Sequence, residues 1–271
     1  MTIAAVLPTF NRLAALRANL GNILTIADVE EVLVVDDGSS DGTWEWLTSR
    51  PDPRLRPLRH RENYGSPAAR NTGAAAARTM WVLFVEDDCR FPPEYAQVLR
   101  TAAHRHDVEI VGAPIVHAGR DEDLETVLAA ARSTRAGPNG LDEIAGFPEA
   151  PVRTPLIPAP SLVRRTVFDD LQFDTGYTGN AYREETDFFL RAEQLGHRCL
   201  LTGDTYFWES LRYPGGQPRN LAAQWSTVRN NWRFLNRHGS ELVRQGHIRS
   251  PLREQLAFTA RRLLRLRSGS S

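Results

Sequence analysis

Lysine is missing altogether, so all 33 formally positive side chains are arginine. That excludes a lysine Schiff base and the lysine of a phosphate-binding P-loop, and leaves anions to be met by arginine or by backbone amides. Cysteine is nearly absent. Cys89 and Cys199 are too few for a disulfide framework or a zinc cluster, and each reads as a small buried hydrophobe. Net charge is absent too: a formal value of zero provides no global positive field, and nucleic acid is not an expected partner. No apolar run approaches the roughly 20 residues that span a bilayer. The N-terminus enters the apolar stretch Ile3 to Leu7 without a charged region and cleavage site, so the expectation is a cytoplasmic protein.

What is present is ordinary globular composition. Hydrophobic residues at 41% and charged residues at 24% exclude a solvated, disordered chain, and 271 residues suit one large α/β domain or one domain with an appendage. Short apolar runs alternate with helix-like stretches over the first hundred or so residues, the pattern of βα units feeding a mostly parallel sheet. Ile3 to Leu7, Val32 to Val35 and Trp81 to Val85 are the clearest strands. Leu13, Leu16, Leu20 and Ile23 recur at helical spacing, with Asn11 placed to cap that helix.

Ser66 as a cap and Pro67 at the first helical position announce a second helix running to Ala77. A third is expected after Pro92 and Pro93, followed by a strand over Val108 to Val111. From Ala118 to Pro160 the signals weaken, acids cluster near Asp121, and Leu124 to Ala131 alone reads as helical. A helix over Glu184 to Leu195, stopped by Gly196, precedes a strand over Arg198 to Leu201, and the tail beyond Pro218 reads as helical.

The chemistry concentrates where apolar strands run into acids. Val82 to Val85 ends in Glu86, Asp87 and Asp88, and Val32 to Val35 ends in Asp36, Asp37, Gly38 and Ser39. Ligands bind at strand C-termini in such sheets. Three adjacent carboxylates repel one another unless water, a hydrogen-bond donor or a cation neutralises them, and a hard divalent ion would do so through oxygen ligands. Either acidic turn alone reads equally well as a solvated loop; the pair at two strand ends shifts the reading toward a site.

Leu7-Pro8-Thr9-Phe10-Asn11-Arg12, then Val35-Asp36-Asp37-Gly38-Ser39-Ser40-Asp41-Gly42-Thr43, then Asn63-Tyr64-Gly65 with Ala69-Arg70-Asn71-Thr72-Gly73 together resemble family-2 glycosyltransferases. Glu86-Asp87-Asp88 stands where that family has its Asp-X-Asp metal motif, with Glu in the first place. The resemblance is dense over about the first 90 residues and resumes near Arg183. It implies a GT-A fold, a mostly parallel sheet flanked by helices with a Rossmann-like nucleotide-binding half and a helical C-terminal extension. It also implies a nucleotide-diphosphate sugar donor, UDP- or dTDP-linked, a hydroxyl acceptor and inversion at the anomeric carbon.

By the same resemblance Pro8, Thr9, Asp36 and Asp37 frame the nucleoside, with Asn11, Asn63, Gly65, Arg70 and Asp87 also at the nucleotide-sugar site. Asp88 and Glu86 would hold Mn2+ or Mg2+. Where the family often supplies a histidine ligand, this chain reads Tyr206-Phe207-Trp208-Glu209-Ser210, so either Glu209 takes that place or the third ligand is lacking. The implied organisation is a GT-A domain over 1–217, divided into a nucleotide-sugar half (1–117) and an acceptor-side half (118–217), with a helical extension over 218–271.

Arg183-Glu184-Glu185-Thr186-Asp187-Phe188-Phe189-Leu190-Arg191 opens an amphipathic helix, where acids also suit the helix N-terminus electrostatically. Glu184 shares a face with Phe188 and Asp187 with Arg191, whereas Glu185 points elsewhere. In register with the family's Glu-Asp motif, Glu185 is the implied catalytic base, with Glu184 and Asp187 as neighbouring alternatives.

Trp208, Tyr213, Trp225 and Trp232 gather late in the chain, and packing of the tail onto the domain is favoured over stacking against an acceptor sugar. His197 and His238 read as surface or structural residues. Arg253, Arg261, Arg262, Arg265 and Arg267 accompany Leu252, Leu256, Leu263 and Leu264. A solvated arginine face or an oligomer contact is favoured there over contact with an anionic membrane surface, which stays open along with a lipid-linked acceptor. A non-catalytic nucleotide-sugar-binding module of the same fold is the alternative function. A dinucleotide oxidoreductase lacks its glycine-rich turn here, and a sugar nucleotidyltransferase lacks its glycine-rich, lysine-containing motif.

Overall fold

The computed structural model describes residues 2–118, 123–133, 137–138, 144–210 and 221–268. In chain order the elements are β1 (Ile3–Thr9), α1 (Leu13–Ile23), β2 (Val29–Asp36), α2 (Thr43–Thr48), β3 (Leu55–Arg59), α3 (Ser66–Ala76), β4 (Trp81–Phe84), β5 (Cys89–Arg90), α4 (Tyr95–His106), β6 (Ile110–Gly112) and β7 (Ile115–Ala118). There follow α5 (Leu124–Ser133), the short pair β8 (Gly137–Pro138) and β9 (Ile144–Ala145), β10 (Val152–Arg153), β11 (Ser161–Arg164) and α6 (Val167–Asp170). The chain closes with α7 (Glu184–Gln194), β12 (Cys199–Leu201), β13 (Phe207–Ser210), α8 (Leu221–Arg244) and α9 (Pro251–Ser268).

Eight strands form one sheet in the order β10-β12-β6-β11-β4-β1-β2-β3, and a smaller sheet pairs β5-β13-β7. β3, β2, β1 and β4 are parallel neighbours, while β11 runs antiparallel between β4 and β6. The continuous apolar character of β1 follows from burial on both faces. Its side chains alternate: Ile3, Ala5 and Leu7 join Leu16, Leu20 and Leu99 on the side of α1 and α4. Ala4 and Val6 join Ala74, Phe188 and Phe189 on the side of α3 and α7. With β1 fixed between two helical layers, the loops after β1 to β4 all emerge at one edge of the sheet.

Two local expectations are corrected. Asn11 does not cap α1: it takes a left-handed φ of 50° and its Oδ1 accepts from the Ser40 amide at 2.8 Å. The Leu13 amide at the start of α1 is met instead by Asp41 Oδ2 at 2.9 Å, from a segment the local sequence could not reveal. Trp225 and Trp232 do not pack the tail, because they leave 68% and 40% of their surface exposed. Trp208 does pack, against the cluster of Val116, Leu128 and Phe147. Tyr213, Asp121 and the 217/218 boundary lie outside the described residues, as do the side chains of Leu263, Leu264, Arg265 and Arg267.

Helix α3 reaches β1 through glycine. A Cβ on Gly73 would lie 2.3 Å from Val6 Cγ1, so only a bare Cα lets the alanine-rich helix settle on the sheet. Gly73→Ala is expected to destabilise the fold by about 1–3 kcal/mol through overpacking, read as a lower urea midpoint with an unchanged denaturant slope. A midpoint equal to that of the parent would show that the helix shifts without strain.

Candidate active site

The loops after β1, β2, β3 and β4 enclose a cavity of about 220 Å³. Pro8, Thr9, Asp37, Asn63, Gly65, Arg70, Glu86, Asp87 and Asp88 all line it, as the sequence implied. So do Phe10, Arg12, Ser66, Ala69, Gly179 and Asn180, for which no role was expected. Asn11, Asp36, Glu185 and Glu209 do not line it.

The three acids after β4 divide their work. Asp87 is buried: its Oδ2 accepts from Thr9 Oγ1 at 2.8 Å and its Oδ1 faces Arg12 Nε at 3.1 Å. Burial pushes its carboxyl up to about 6, against the pull of Arg12 and with a further push from Asp88. Asp88 pairs through Oδ2 with Arg12 Nη2 at 2.7 Å, and Glu86 through Oε1 with Arg70 Nη2 at 2.9 Å. Their remaining oxygens, Asp88 Oδ1 and Glu86 Oε2, each lie 3.9 Å from the Cys89 sulfur. Burial pushes that thiol well above its usual range, and sulfur is a soft donor, whereas the two carboxylate oxygens suit a hard ion. Glu86, Asp88 and Cys89 bring their donor atoms within 4.8 Å of one another.

Arg70 is 2% exposed and joins both ends of the site. Its Nη1 donates to Glu184 Oε1 at 2.7 Å and to Glu185 Oε1 at 2.8 Å, while Nη2 holds Glu86. Glu184 and Glu185 therefore converge on one cation rather than pointing apart, which corrects the helical-wheel reading. Burial raises the Glu184 carboxyl and Arg70 opposes the rise. Burial likewise raises Glu86, again opposed by Arg70, with Asp88, Glu185 and Glu209 adding repulsion.

Asp37 is occupied with its own loop. Its Oδ1 lies 2.6 Å from His60 Nδ1 and accepts from the Tyr64 amide at 3.0 Å, and its Oδ2 accepts from the Gly65 amide at 2.8 Å. It thereby shapes the Asn63 to Gly65 wall of the cavity. Asp36 is fully buried, accepting from the Ser39 amide at 2.9 Å and facing Arg59 Nε at 3.5 Å. Glu209 lies on β13 opposite Cys89, with Oε2 3.1 Å from His117 Nδ1.

Helix α7, which carries Glu184 and Glu185, is fixed by Asp187. This fully buried carboxylate accepts from Tyr177 Oη at 3.1 Å, Arg191 Nε at 2.7 Å and Arg237 Nη1 at 2.8 Å, and lies 2.9 Å from His238 Nε2. The chain enters α7 through left-handed Ala181 and Arg183, at φ 50° and 74°. Such backbone persists only where its surroundings impose it, and Arg183 lies over the rings of Tyr182 and Phe234. The sequence signalled the Asp187–Arg191 spacing, but the partners from α8 lie some fifty residues away and leave no local trace.

Burial would raise the Asp187 carboxyl, but the His238 hydrogen bond and the Arg191 and Arg237 charges outweigh it and hold it down at about 2. A depressed folded value gives stability that is full above the ordinary aspartate range, near 4, and is lost as pH falls through about 2. Asp187→Asn is expected to destabilise the protein by about 3–5 kcal/mol at neutral pH. The gap to the parent should narrow by pH 3 in urea titrations; a gap that does not change with pH would remove the charge of Asp187 from the account.

The sequence profile of Glycosyl transferase family 2 matches residues 4–172. The chain is 31% identical over 178 residues to the succinoglycan biosynthesis protein ExoO of Rhizobium meliloti (strain 1021), covering 65% of this chain and 45% of that protein. It is 35% identical over 108 residues to the validoxylamine A glucosyltransferase of Streptomyces hygroscopicus subsp. jinggangensis (strain 5008), covering 38% of this chain and 25% of that one. The chain thus spans less than half the length of these curated relatives. Among solved structures, S. aureus TarS 1-349 in complex with UDP-GlcNAc aligns with a TM-score of 0.62 at 17% identity, over 87% of this chain and 67% of that chain. At that identity the likeness shows the fold, which is the GT-A arrangement implied by the sequence. The family profile runs from β1 to just beyond α6, more than half of the chain, and the chain belongs to glycosyl transferase family 2.

Proposed function

We propose that the protein is an inverting glycosyltransferase moving a sugar from a nucleotide-diphosphate sugar, UDP- or dTDP-linked, to a hydroxyl of a glycan, lipid-linked or small-molecule acceptor. The observation that carries this reading is the Arg70 bridge, which sets Glu86, from the acidic turn after β4, beside Glu185 at the start of α7. TarS, solved with UDP and with UDP-GlcNAc, supports a nucleotide-sugar donor.

The β1 to β3 loops form the nucleotide side, with Pro8 and Thr9 on one wall and the Asn63 to Gly65 segment, held by Asp37, on another. Asp88 and Glu86 would hold a divalent Mn2+ or Mg2+ ion, with Glu209 as a candidate third ligand. Bound there, such an ion supplies Lewis-acid neutralisation of the diphosphate charge. Glu185, oriented by Arg70, accepts the acceptor hydroxyl proton as that oxygen bonds to the anomeric carbon. The bond from that carbon to the nucleotide diphosphate breaks on the opposite face, so configuration inverts.

Calorimetric titration with UDP, dTDP and GDP, with and without Mn2+, tests the donor site. One nucleotide is expected to bind in a metal-dependent way in the parent and not in Asp88→Ala. Glu185→Gln is expected to keep that binding while transfer to acceptor falls on the order of 10²–10⁴-fold. Absence of nucleotide binding under every condition would overturn the donor assignment, and transfer indifferent to Glu185→Gln would remove that residue as the base. Metal-dependent binding with no transfer to any acceptor tested would favour a nucleotide-sugar-binding module.

A further inference from the structure

Charge is distributed unevenly in this neutral chain. Residues 221–271 hold ten arginines against two glutamates, a surplus that the rest of the sequence balances with acids. Residues 221–268 of that segment form the α8–α9 hairpin. On α8, Trp225, Arg229, Trp232 and Asn236 recur at intervals of three and four residues and are all exposed, whereas Thr227, Asn230, Phe234 and His238 on the other side are buried against the domain. Trp225 exposes 68% of its surface. One exposed tryptophan is ordinary, whereas a contiguous exposed apolar patch marks an interaction site.

The packing of α9 extends the patch. Gln255 faces α8, accepting from Asn231 Nδ2 at 2.7 Å and donating to the Val228 carbonyl at 3.0 Å. Phe258 faces the domain, stacked on Tyr182 at 5.3 Å. At about 100° per residue, a turn from Phe258 past Gln255 leads to Leu252 and Leu256, on the flank of α9 beside the outward stripe of α8. Both are exposed, at 58% and 62%. The antiparallel register set by Gln255, which meets Val228 and Asn231, brings Leu256 level with the turn that carries Arg229, between Trp225 and Trp232, so two tryptophans and two leucines share one outward face with Arg229 among them and Arg253 at its margin.

We propose that this face of the α8–α9 hairpin docks on a bilayer containing anionic phospholipid. Indole rings with interspersed guanidinium groups suit the headgroup boundary, where apolar surface leaves water and arginine meets phosphate. No helix among the described residues is long and apolar enough to cross a membrane, so the hairpin would lie on the surface. A second copy of the chain is a poorer occupant, because it would bring two like-charged faces together. Arg229 also donates to Thr178 Oγ1, next to Gly179 and Asn180 of the cavity wall, so docking brings the mouth of the site close to the lipid surface. The proposal does not rest on the transferase reading.

Flotation of the purified chain with phosphatidylcholine vesicles, with and without phosphatidylglycerol, tests it. Binding is expected with the anionic vesicles, weakening at high salt. It should fall on the order of tenfold or more in Trp225→Ser/Trp232→Ser and in Arg229→Glu/Arg253→Glu. These positions are exposed, and circular dichroism and the melting temperature check that both variants fold. Failure to float with anionic vesicles, equal binding to phosphatidylcholine alone, or binding indifferent to both variants overturns the proposal. So does sedimentation velocity showing a dimer that the tryptophan variant abolishes, since a second copy would then cover the face.

Discussion

Arg70 is the interaction on which the site depends. Its guanidinium is buried and holds carboxylates from two distant parts of the chain, Glu86 after β4 and Glu184 with Glu185 at the start of α7. A buried acid is tolerated when a charge-assisted hydrogen bond offsets its desolvation, and the fork geometry of arginine offers several such bonds at fixed angles. A lysine would offer three donors from a point charge on a flexible stem, without the planar fork that fixes the directions of these contacts. Arg12 plays the matching part on the other side of Glu86, taking Asp87 and Asp88. Glu86 Oε2 and Asp88 Oδ1 are the oxygens of the pair that neither guanidinium group takes.

The sheet determines where those charges meet. Because β1 is buried on both faces and flanked by parallel β2 and β4, three acidic or polar strand ends emerge together. This part was legible: fully buried parallel strands are continuous apolar runs, and the abrupt change to acids marks their ends. Helices α1, α3 and α7 were legible for the same local reasons, by spacing, by Pro67 and by Gly196. Edge strand β3 was not, since Leu-Arg-Pro-Leu-Arg carries the charges and the proline that suit an edge but not a typical strand signal. Nor was antiparallel β11, whose four residues include two apolar ones.

Side-chain function was legible by residue type and not by partner. The sequence singled out Asp37, but His60 and the amides it binds belong to a loop more than twenty residues on. It noted Asn11 as a cap, but Asp41 from the next loop is better placed to meet the helix. It left Arg12 without a role because nothing local shows that the end of β1 faces the acids after β4. Long-range pairs of this kind are set by topology, and a single sequence reveals them only after the sheet order is known.

The C-terminal hairpin follows from the same logic of distant pairs. Asn180 of the cavity wall donates through Nδ2 to Thr227 Oγ1 at 2.7 Å, and Asn230 Nδ2 donates to the Thr178 carbonyl at 2.8 Å. A Cβ on Gly179 would lie 2.5 Å from Ser226 Oγ, so the wall and α8 are in direct contact. About two turns further along, Arg237 and His238 hold Asp187 beneath Glu184 and Glu185. Buried ionic contacts of this sort contribute little net stability against a well-packed apolar alternative; what they supply is geometry. Geometry is what the proposed transfer would need, since an error of about 1 Å in a reacting group costs orders of magnitude in rate. Helix α8 therefore belongs to the site as much as the acidic loops do, although none of its described side chains lines the cavity itself.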